Sequence, residues 1–204
     1  MTNPLPPPDQ KATYVRQMFG QIAQRYDLMN RLMTLGRDQS WRRYTVEQAL
    51  HSLDPAPGAG RTGDGRVLDV ATGTGDLALE SLRQRPGVRV VGLDFTPEML
   101  LLARHKAELG NTVPELNVGD ALHLPYADGT FDAVVTAFAL RNVTDIPAAF
   151  SEMARVTRPG GRIGCLEIAK PSAPFFRRLF AVYFYRLVPL VGGLLTGERS
   201  AYTY

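Results

Sequence analysis

Arg66-Val-Leu-Asp-Val-Ala-Thr-Gly-Thr-Gly-Asp-Leu-Ala-Leu-Glu80 is the stretch that decides the fold. Val67, Leu68 and Val70 make a buried strand, Gly73 and Gly75 narrow the chain to a turn, and Leu77, Ala78 and Ser81 then fall on one side of a helix. An open parallel sheet builds its nucleotide site from this succession. Residues without Cβ let the backbone approach a ligand, and the helix start offers N–H groups that have no partner inside the helix. The spacing Gly73-x-Gly75-x-x-Ala78 also fits the dinucleotide fingerprint, and a tight strand-to-helix turn with no ligand has the same local sequence.

Downstream, Pro86-Gly87 turns the chain into a second strand, Val88 to Leu93, which ends on Asp94. Thr96 is expected to cap a helix with Pro97 in its first position and Glu98 in its first turn, stopping at Gly110. A third strand, Leu116 to Val118, ends at Gly119-Asp120, and a fourth, Phe131 to Ala137, delivers Phe138 to Asn142 to the loop beyond it. Asp145 and Pro147 open another helix, which Arg158-Pro-Gly-Gly161 stops before a fifth strand, Arg162 to Ala169. Strands alternating with helices five times predict an α/β fold, a doubly wound, Rossmann-like parallel sheet.

Upstream, Val15, Phe19, Ile22 and Tyr26 recur at helical intervals, so Thr13 to Asp27 is expected to form an N-terminal helical lid. Leu28 to Leu50 reads as helical around Trp41 and Val46 with a break near Gly36, and Arg31, Arg37, Arg42 and Arg43 read as a solvated face. The run from Asp54 to Gly65 is a loop by composition. The expected organisation is a helical lid and substrate-binding region over 1–53, a linker over 54–65, a cofactor-binding core over 66–170 and an aromatic, basic segment over 171–204. In that last segment Phe175, Phe176, Leu179, Phe180, Tyr183 and Phe184 accompany Arg177, Arg178 and Arg186, a pattern that suits either burial against the N-terminal helix or a bilayer surface.

At 204 residues and 45% hydrophobic content the chain can bury one substantial core. A net charge of +3 is compatible with an anionic lipid surface or nucleic acid and selects neither. The single cysteine, Cys165, allows no internal disulfide, suits the reducing cytosol, and has the apolar flanks of a buried thiol. The first ten residues lack the apolar core of a signal peptide, and no window has the length and purity of a membrane span. A cytoplasmic protein is expected. The three histidines, His51, His105 and His123, have no ligand-like spacing, so no metal is predicted, and the absence of Gly-x-x-x-x-Gly-Lys-Ser/Thr argues against an ATPase.

In an open sheet the useful residues lie just after each strand: Thr72 to Asp76, Asp94, Asp120-Ala121, and Ala137 to Asn142. Asp94, about twenty residues beyond the glycine turn, is where an acid accepts the hydroxyl protons of a ribose, and this suits a nicotinamide dinucleotide and S-adenosylmethionine alike. Other features favour the second. Asp69 stands inside the first strand, where a carboxylate can order the turn and lie near a cationic ligand, and Asp120 offers an acceptor to an adenine amino group. A hydride enzyme also needs a substrate half with an acid–base His or Lys after the fifth strand, and none is evident.

These residues resemble the class I S-adenosylmethionine methyltransferases, and within them the demethylmenaquinone and ubiquinone-precursor C-methyltransferases. The resemblance runs over nearly the whole chain: Tyr26-Asp-Leu-Met-Asn30, Leu68-Asp-Val-Ala-Thr-Gly-Thr-Gly-Asp76, Asp120 with Leu124-Pro125, Phe138-Ala-Leu-Arg-Asn-Val143 and Arg158-Pro-Gly-Gly161. The glycine and Pro-Gly-Gly motifs are general to such enzymes; the Tyr-Asp-x-Met-Asn and Leu-Arg-Asn-Val strings are more particular. The resemblance implies S-adenosylmethionine as cofactor, with Thr74, Asp94, Asp120 and Ala121 against it beside Asp69, Thr72, Gly73 and Gly75 of the turn. Ala137 completes that set at a position which some family members fill with serine. It also implies a final helix and antiparallel strand pair after Tyr202-Thr-Tyr204, so the sheet is expected to lack that pair.

The implied reaction is methylation of a ring carbon of a polyprenylated quinol, demethylmenaquinol to menaquinol, with a 2-methoxy-6-polyprenyl-benzoquinol as the alternative. A quinol carbon becomes nucleophilic as the ring approaches its anion, and the resemblance implies that Arg141, Asn142 and Tyr26 act together in the acid–base step. Arginine is a poor base, with a conjugate-acid pKa above about 12. Arg141 is therefore expected to stabilise the quinolate, while Tyr26 and Asn142 position a water that takes the proton. A membrane-resident acceptor implies peripheral contact with the cytoplasmic face of a membrane. No basic stripe with interleaved aromatics points to nucleic acid, and homodimerisation stays open. The rival readings are a nicotinamide-dependent oxidoreductase and an inactive donor-binding module.

Overall fold

The computed structural model describes residues 17, 18, 20, 23, 26–28, 30, 31, 33–53, 65–111, 113–169 and 173. Val15, Phe19 and Ile22 of the expected lid helix, the loop 54–64 and the aromatic stretch 174–195 lie outside the described residues. The chain divides into two units, 1–38 with 168–204, and 39–167. In the first, residues 26–28, 30, 31 and 33 are helical, and a turn follows at 34–37 with Leu35 at φ 52 and Gly36 at φ 75, which is the break expected near Gly36. The Thr34 hydroxyl donates to Asp38 Oδ1 at 3.0 Å and accepts from the Asp38 N–H at 3.3 Å, restarting the helix.

Helix α1 runs over Asp38–Leu50 and ends in a 3-10 turn, His51–Leu53. Strand β1 (Arg66–Val70) leads to α2 (Asp76–Gln84), β2 (Arg89–Asp94) to α3 (Pro97–Leu109), and β3 (Glu115–Val118) to β4 (Phe131–Ala137). Helix α4 (Ile146–Val156) and β5 (Thr157–Leu166) complete the described elements. The sheet is parallel throughout, as expected, and its strands lie in the order β3-β2-β1-β4-β5. Asp145 caps α4 by accepting the Ala148 N–H at 2.9 Å, whereas Thr96 makes no side-chain cap bond to α3.

Alternation along the strands assigns the two faces. Val67, Val90, Ala133 and Val135 pack with Val46, Ala49, Leu50 and Leu53 of α1 and its 3-10 turn and with Leu77 and Ala78 of α2. Leu68, Val70, Val91, Leu93 and Val134 pack on the opposite face with Met153 and Val156 of α4. Asp69 shares the parity of Val67, so the one carboxylate inside β1 lies on the α1/α2 side, buried beneath α2.

Two expectations change here. Arg158-Pro-Gly-Gly161 is not a stop ahead of the fifth strand. Thr157 already pairs with Phe131 and Arg162 with Ala133, so the intervening residues form an irregularity inside β5. Proline cannot donate to the ladder and Gly160 takes φ 78, which is why this run reads as a break in sequence. Cys165 is exposed and not a packed thiol, because β5 is the edge strand of the described sheet.

The β5 irregularity is sterically closed at one glycine and open at the next. A Cβ on Gly161 would lie 2.5 Å from Thr157 Cγ2 and 2.7 Å from the Asp132 carbonyl oxygen, whereas one on Gly160 meets nothing within 4 Å. Gly161→Ala is expected to cost roughly 2–3 kcal/mol by overpacking, and Gly160→Ala only about 1 kcal/mol for its left-handed backbone. Urea denaturation midpoints of the two variants check the order.

Candidate active site

The carboxyl ends of the strands converge around the turn after β1. Ala71 takes φ 54, Gly73 φ 56 and Gly75 φ 83, and a Cβ on Gly75 would come within 3.1 Å of Ala103 Cβ on α3, so this turn needs glycine both for conformation and for space. The Thr72 N–H donates to the Leu93 carbonyl at 2.9 Å and the Gly75 N–H to the Thr72 carbonyl at 2.9 Å. Gly75 leaves α2 with no capping side chain. Asp69 supplies the missing acceptor from below: its Oδ2 takes the Ala78 N–H at 2.9 Å and the Thr72 hydroxyl at 2.6 Å. Burial pushes its carboxyl up to about 7, against the lowering effects of those two bonds and of the Arg42 charge. Asp69 thus orders the turn, as expected of a carboxylate inside the strand.

Asp94 closes the turn from β2. Its Oδ2 accepts the Gly73 N–H at 2.8 Å and its Oδ1 the Thr96 N–H at 2.8 Å, and the Thr96 side chain and the Phe95 N–H also donate to this carboxylate. Burial raises its pKa, opposed by these backbone bonds. Beyond β3, Asp120 is exposed, and its Oδ1 accepts the Leu122 N–H at 2.9 Å. The loop around it is clamped by two residues of α4 that sequence reading passed over. Glu152 accepts the Leu124 N–H at 2.8 Å, and Arg155 donates to the Leu124 and Tyr126 carbonyls at 2.9 and 2.8 Å.

After β4, Ala137 is half-buried and Phe138 is buried at φ 56. The Phe138 N–H donates to the Leu166 carbonyl at 2.8 Å, and the Leu140 N–H to Glu167 Oε1 at 2.7 Å. Leu140–Asn142 is a 3-10 turn carrying Arg141, exposed, and Asn142, half-buried. The 39–167 unit therefore brings together Asp69, Thr72, Gly73, Thr74, Gly75, Asp94, Asp120, Ala121, Ala137, Arg141 and Asn142 at the carboxyl end of one sheet. Tyr26 is helical and half-buried in the 1–38 and 168–204 unit.

The start of α2 carries a network that sequence reading did not find. Lys106 Nζ donates to Asp76 Oδ1 at 2.6 Å and to the Thr74 hydroxyl at 3.1 Å. Arg42 Nε lies 3.5 Å from Asp76 Oδ2, and its guanidinium sits 5.0 Å from the centre of the Phe138 ring. Arg42 is buried, so it does not belong to the solvated face expected for the leader arginines, although Arg31, Arg37 and Arg43 are exposed. One signal was available: Arg42 precedes Val46, Ala49 and Leu53 at helical spacing and falls in their buried stripe. Among the described residues no His, Cys, Asp or Glu cluster could hold a metal, and no helix is long and apolar enough to cross a membrane.

Comparison with known proteins adds to this geometry. Residues 8–204 match the ubiE/COQ5 methyltransferase family. A demethylmenaquinone methyltransferase of Roseiflexus castenholzii is 48% identical over 203 residues, which is 100% of this chain and 80% of that protein. A ubiquinone/menaquinone biosynthesis C-methyltransferase UbiE of Geobacter sp. is 44% identical, covering 96% of this chain and 80% of its own. Among solved structures, the [4+2]-cyclase SpnF superposes with a TM-score of 0.60 at 23% identity, over 85% of this chain and 64% of that one, a likeness of fold alone.

Asp69 gives the site a pH signature. Its folded pKa lies above the unfolded value, so between 3.8 and about 7 the native state holds a proton that the unfolded chain has released, and its contribution to stability falls as pH rises through that window. Asp69→Asn retains an acceptor oxygen and cannot titrate. The stability of the wild type relative to this variant is expected to fall by up to roughly 1.4 kcal/mol per pH unit inside the window and to level off above it. Urea denaturation of both proteins across that range checks this.

Proposed function

The chain belongs to the ubiE/COQ5 methyltransferase family of S-adenosylmethionine-dependent C-methyltransferases, and on that premise we propose that it methylates a ring carbon of a polyprenylated quinol, demethylmenaquinol to menaquinol. The observation that carries the reading is the 48% identity with a demethylmenaquinone methyltransferase along the entire chain. The UbiE relatives, named for both quinones, keep the benzoquinol precursor as the alternative acceptor.

The donor set at the strand ends fits S-adenosylmethionine. Asp94 stands at the end of β2, where a carboxylate takes a ribose diol by exchanging some of its present bonds to the Phe95–Thr96 segment, and exposed Asp120 beside half-buried Ala121 offers an acceptor to adenine. A pyrophosphate would need the N-terminus of α2, where the Asp76 carboxylate already stands. In this reading Asp69, Thr72, Gly73, Thr74 and Gly75 shape the turn beneath the donor and Ala137 closes it from β4. When bound, the donor supplies an electrophilic methyl group on a sulfonium. The chain's own task is to orient the quinol and stabilise the anionic ring. Arg141 stabilises the quinolate by its charge, and Asn142 holds the water that accepts the hydroxyl proton; a part for Tyr26 in that acid–base step is what the family resemblance implies. The polyprenyl tail keeps the acceptor in a bilayer, so the enzyme works at the cytoplasmic surface of a membrane.

Arg141→Ala is expected to lower turnover about a hundredfold or more while S-adenosylhomocysteine affinity by titration calorimetry stays near that of the wild type. Near-normal turnover would remove Arg141 from the electrostatic role, and binding of NAD in place of S-adenosylhomocysteine would overturn the donor. Deleting the gene is expected to leave demethylated menaquinone in the membrane quinones, read by mass spectrometry. Accumulation of a benzoquinol precursor would instead assign the alternative acceptor.

A further inference from the structure

We propose that Arg42 is a positioning residue for methyl transfer, tying the helix start beside the Thr72–Asp76 turn to Phe138 and so holding the Arg141-Asn142 segment in register with that turn. The proposal rests on the reading of Thr72–Asp76 as the donor turn and of Arg141-Asn142 as the acceptor side.

The observations converge on this one side chain. Helix α1 is anchored to the sheet by Val46, Ala49 and Leu50, so Arg42, one turn earlier on the same stripe, is delivered to a fixed point. There it meets two groups from different elements. Asp76, in the first position of α2, lies 3.5 Å from its Nε, and the Phe138 ring centre lies 5.0 Å from its guanidinium carbon. Asp76 adjoins Gly75, and Phe138 is the first residue beyond β4 on the way to Arg141.

Phe138 has reason to need such a hold. A bulky side chain at φ 56 is held against its own backbone preference, and its backbone N–H is tethered to the Leu166 carbonyl. A flat guanidinium can face a ring and keep its charge beside a carboxylate at once, here at 3.5 Å; an ammonium has no flat face to lay on the ring. Arg42 can thus transmit a displacement of α2 to the 138–142 segment.

The test compares wild type, Arg42→Lys, Phe138→Leu and the double variant. Turnover is measured at saturating donor and quinol, S-adenosylhomocysteine affinity by calorimetry, and folding by thermal denaturation. Arg42→Lys keeps the charge beside Asp76 and loses the stack, so turnover is expected to fall about tenfold while S-adenosylhomocysteine affinity changes less than about threefold. In the Phe138→Leu background the same change is expected to cost less than about twofold more. Additive losses, unchanged turnover, or equal losses of turnover and S-adenosylhomocysteine affinity would overturn the proposal. If Arg42→Lys fails to fold, Phe138→Leu alone decides: normal turnover overturns the proposal, and a tenfold loss with S-adenosylhomocysteine affinity retained supports it. A wild type that binds no S-adenosylhomocysteine would count against the proposed function, whereas additive losses in a wild type that binds and turns over count against Arg42 alone.

Discussion

The carboxylate of Asp69 beneath α2 is the interaction on which the site depends. A turn tight enough for a nucleotide requires glycine at position 75, with φ 83, and glycine has no side chain with which to cap the helix it starts. The orphan N–H of Ala78 has to find its acceptor elsewhere, and β1 supplies it at 2.9 Å. An acid inside a parallel strand carries a desolvation cost, visible in the raised pKa of Asp69, which hydrogen bonds from Thr72 and Ala78 and the charge of Arg42 offset in part. The same solution recurs one strand over, where Asp94 fixes Gly73 through its backbone N–H.

These two acids hold the turn through its own N–H and hydroxyl groups, and the basic residues act on its Thr74 and Asp76 side chains. Lys106 reaches Thr74 and Asp76 from α3, and Arg42 reaches Asp76 from α1. The glycine turn is therefore held from β1, β2, α1 and α3. The flexibility that glycine brings to the unfolded chain is removed in the folded one by groups from four separate elements, and the turn meets a ligand already shaped.

Most of the frame was legible because it is written in periodicity. The strand-to-helix alternation, the Pro97 and Asp145 helix starts and the break at Gly36 all depend on neighbours within a few residues. Asp69 was legible as an anomaly, a carboxylate where an apolar side chain belongs. What was not legible depends on partners remote in sequence. Arg42 looks like its three exposed neighbours until α1 is laid on the sheet and it is carried inward with Val46. Glu152, Arg155 and Glu167 are ordinary surface residues in sequence, and acquire a role only when α4 and β5 bring them under the loops after β3 and β4. Pro159-Gly-Gly161 misleads for the opposite reason: its local chemistry does favour a break, and the ladder with β4 absorbs it as an irregularity.

The fold is shared with a cyclase, so the frame by itself carries no reaction. The described contacts separate the two halves of the site in a way that fits this. The turn after β1 is fixed by β1 and β2 through Asp69 and Asp94, while the segment after β4 is fixed by β5 through the Leu166 carbonyl and Glu167. None of the residues 138–142 is a hydrogen-bond partner of Asp69 or Asp94 among the described bonds, so the two segments are built on separate hydrogen-bond sets. Arg42 is a side chain that reaches both, charged toward Asp76 and facing the Phe138 ring. The β1–β4 ladder sets the two segments in register through the backbone, and a side chain that touches both adds a second coupling at the level of the loops themselves.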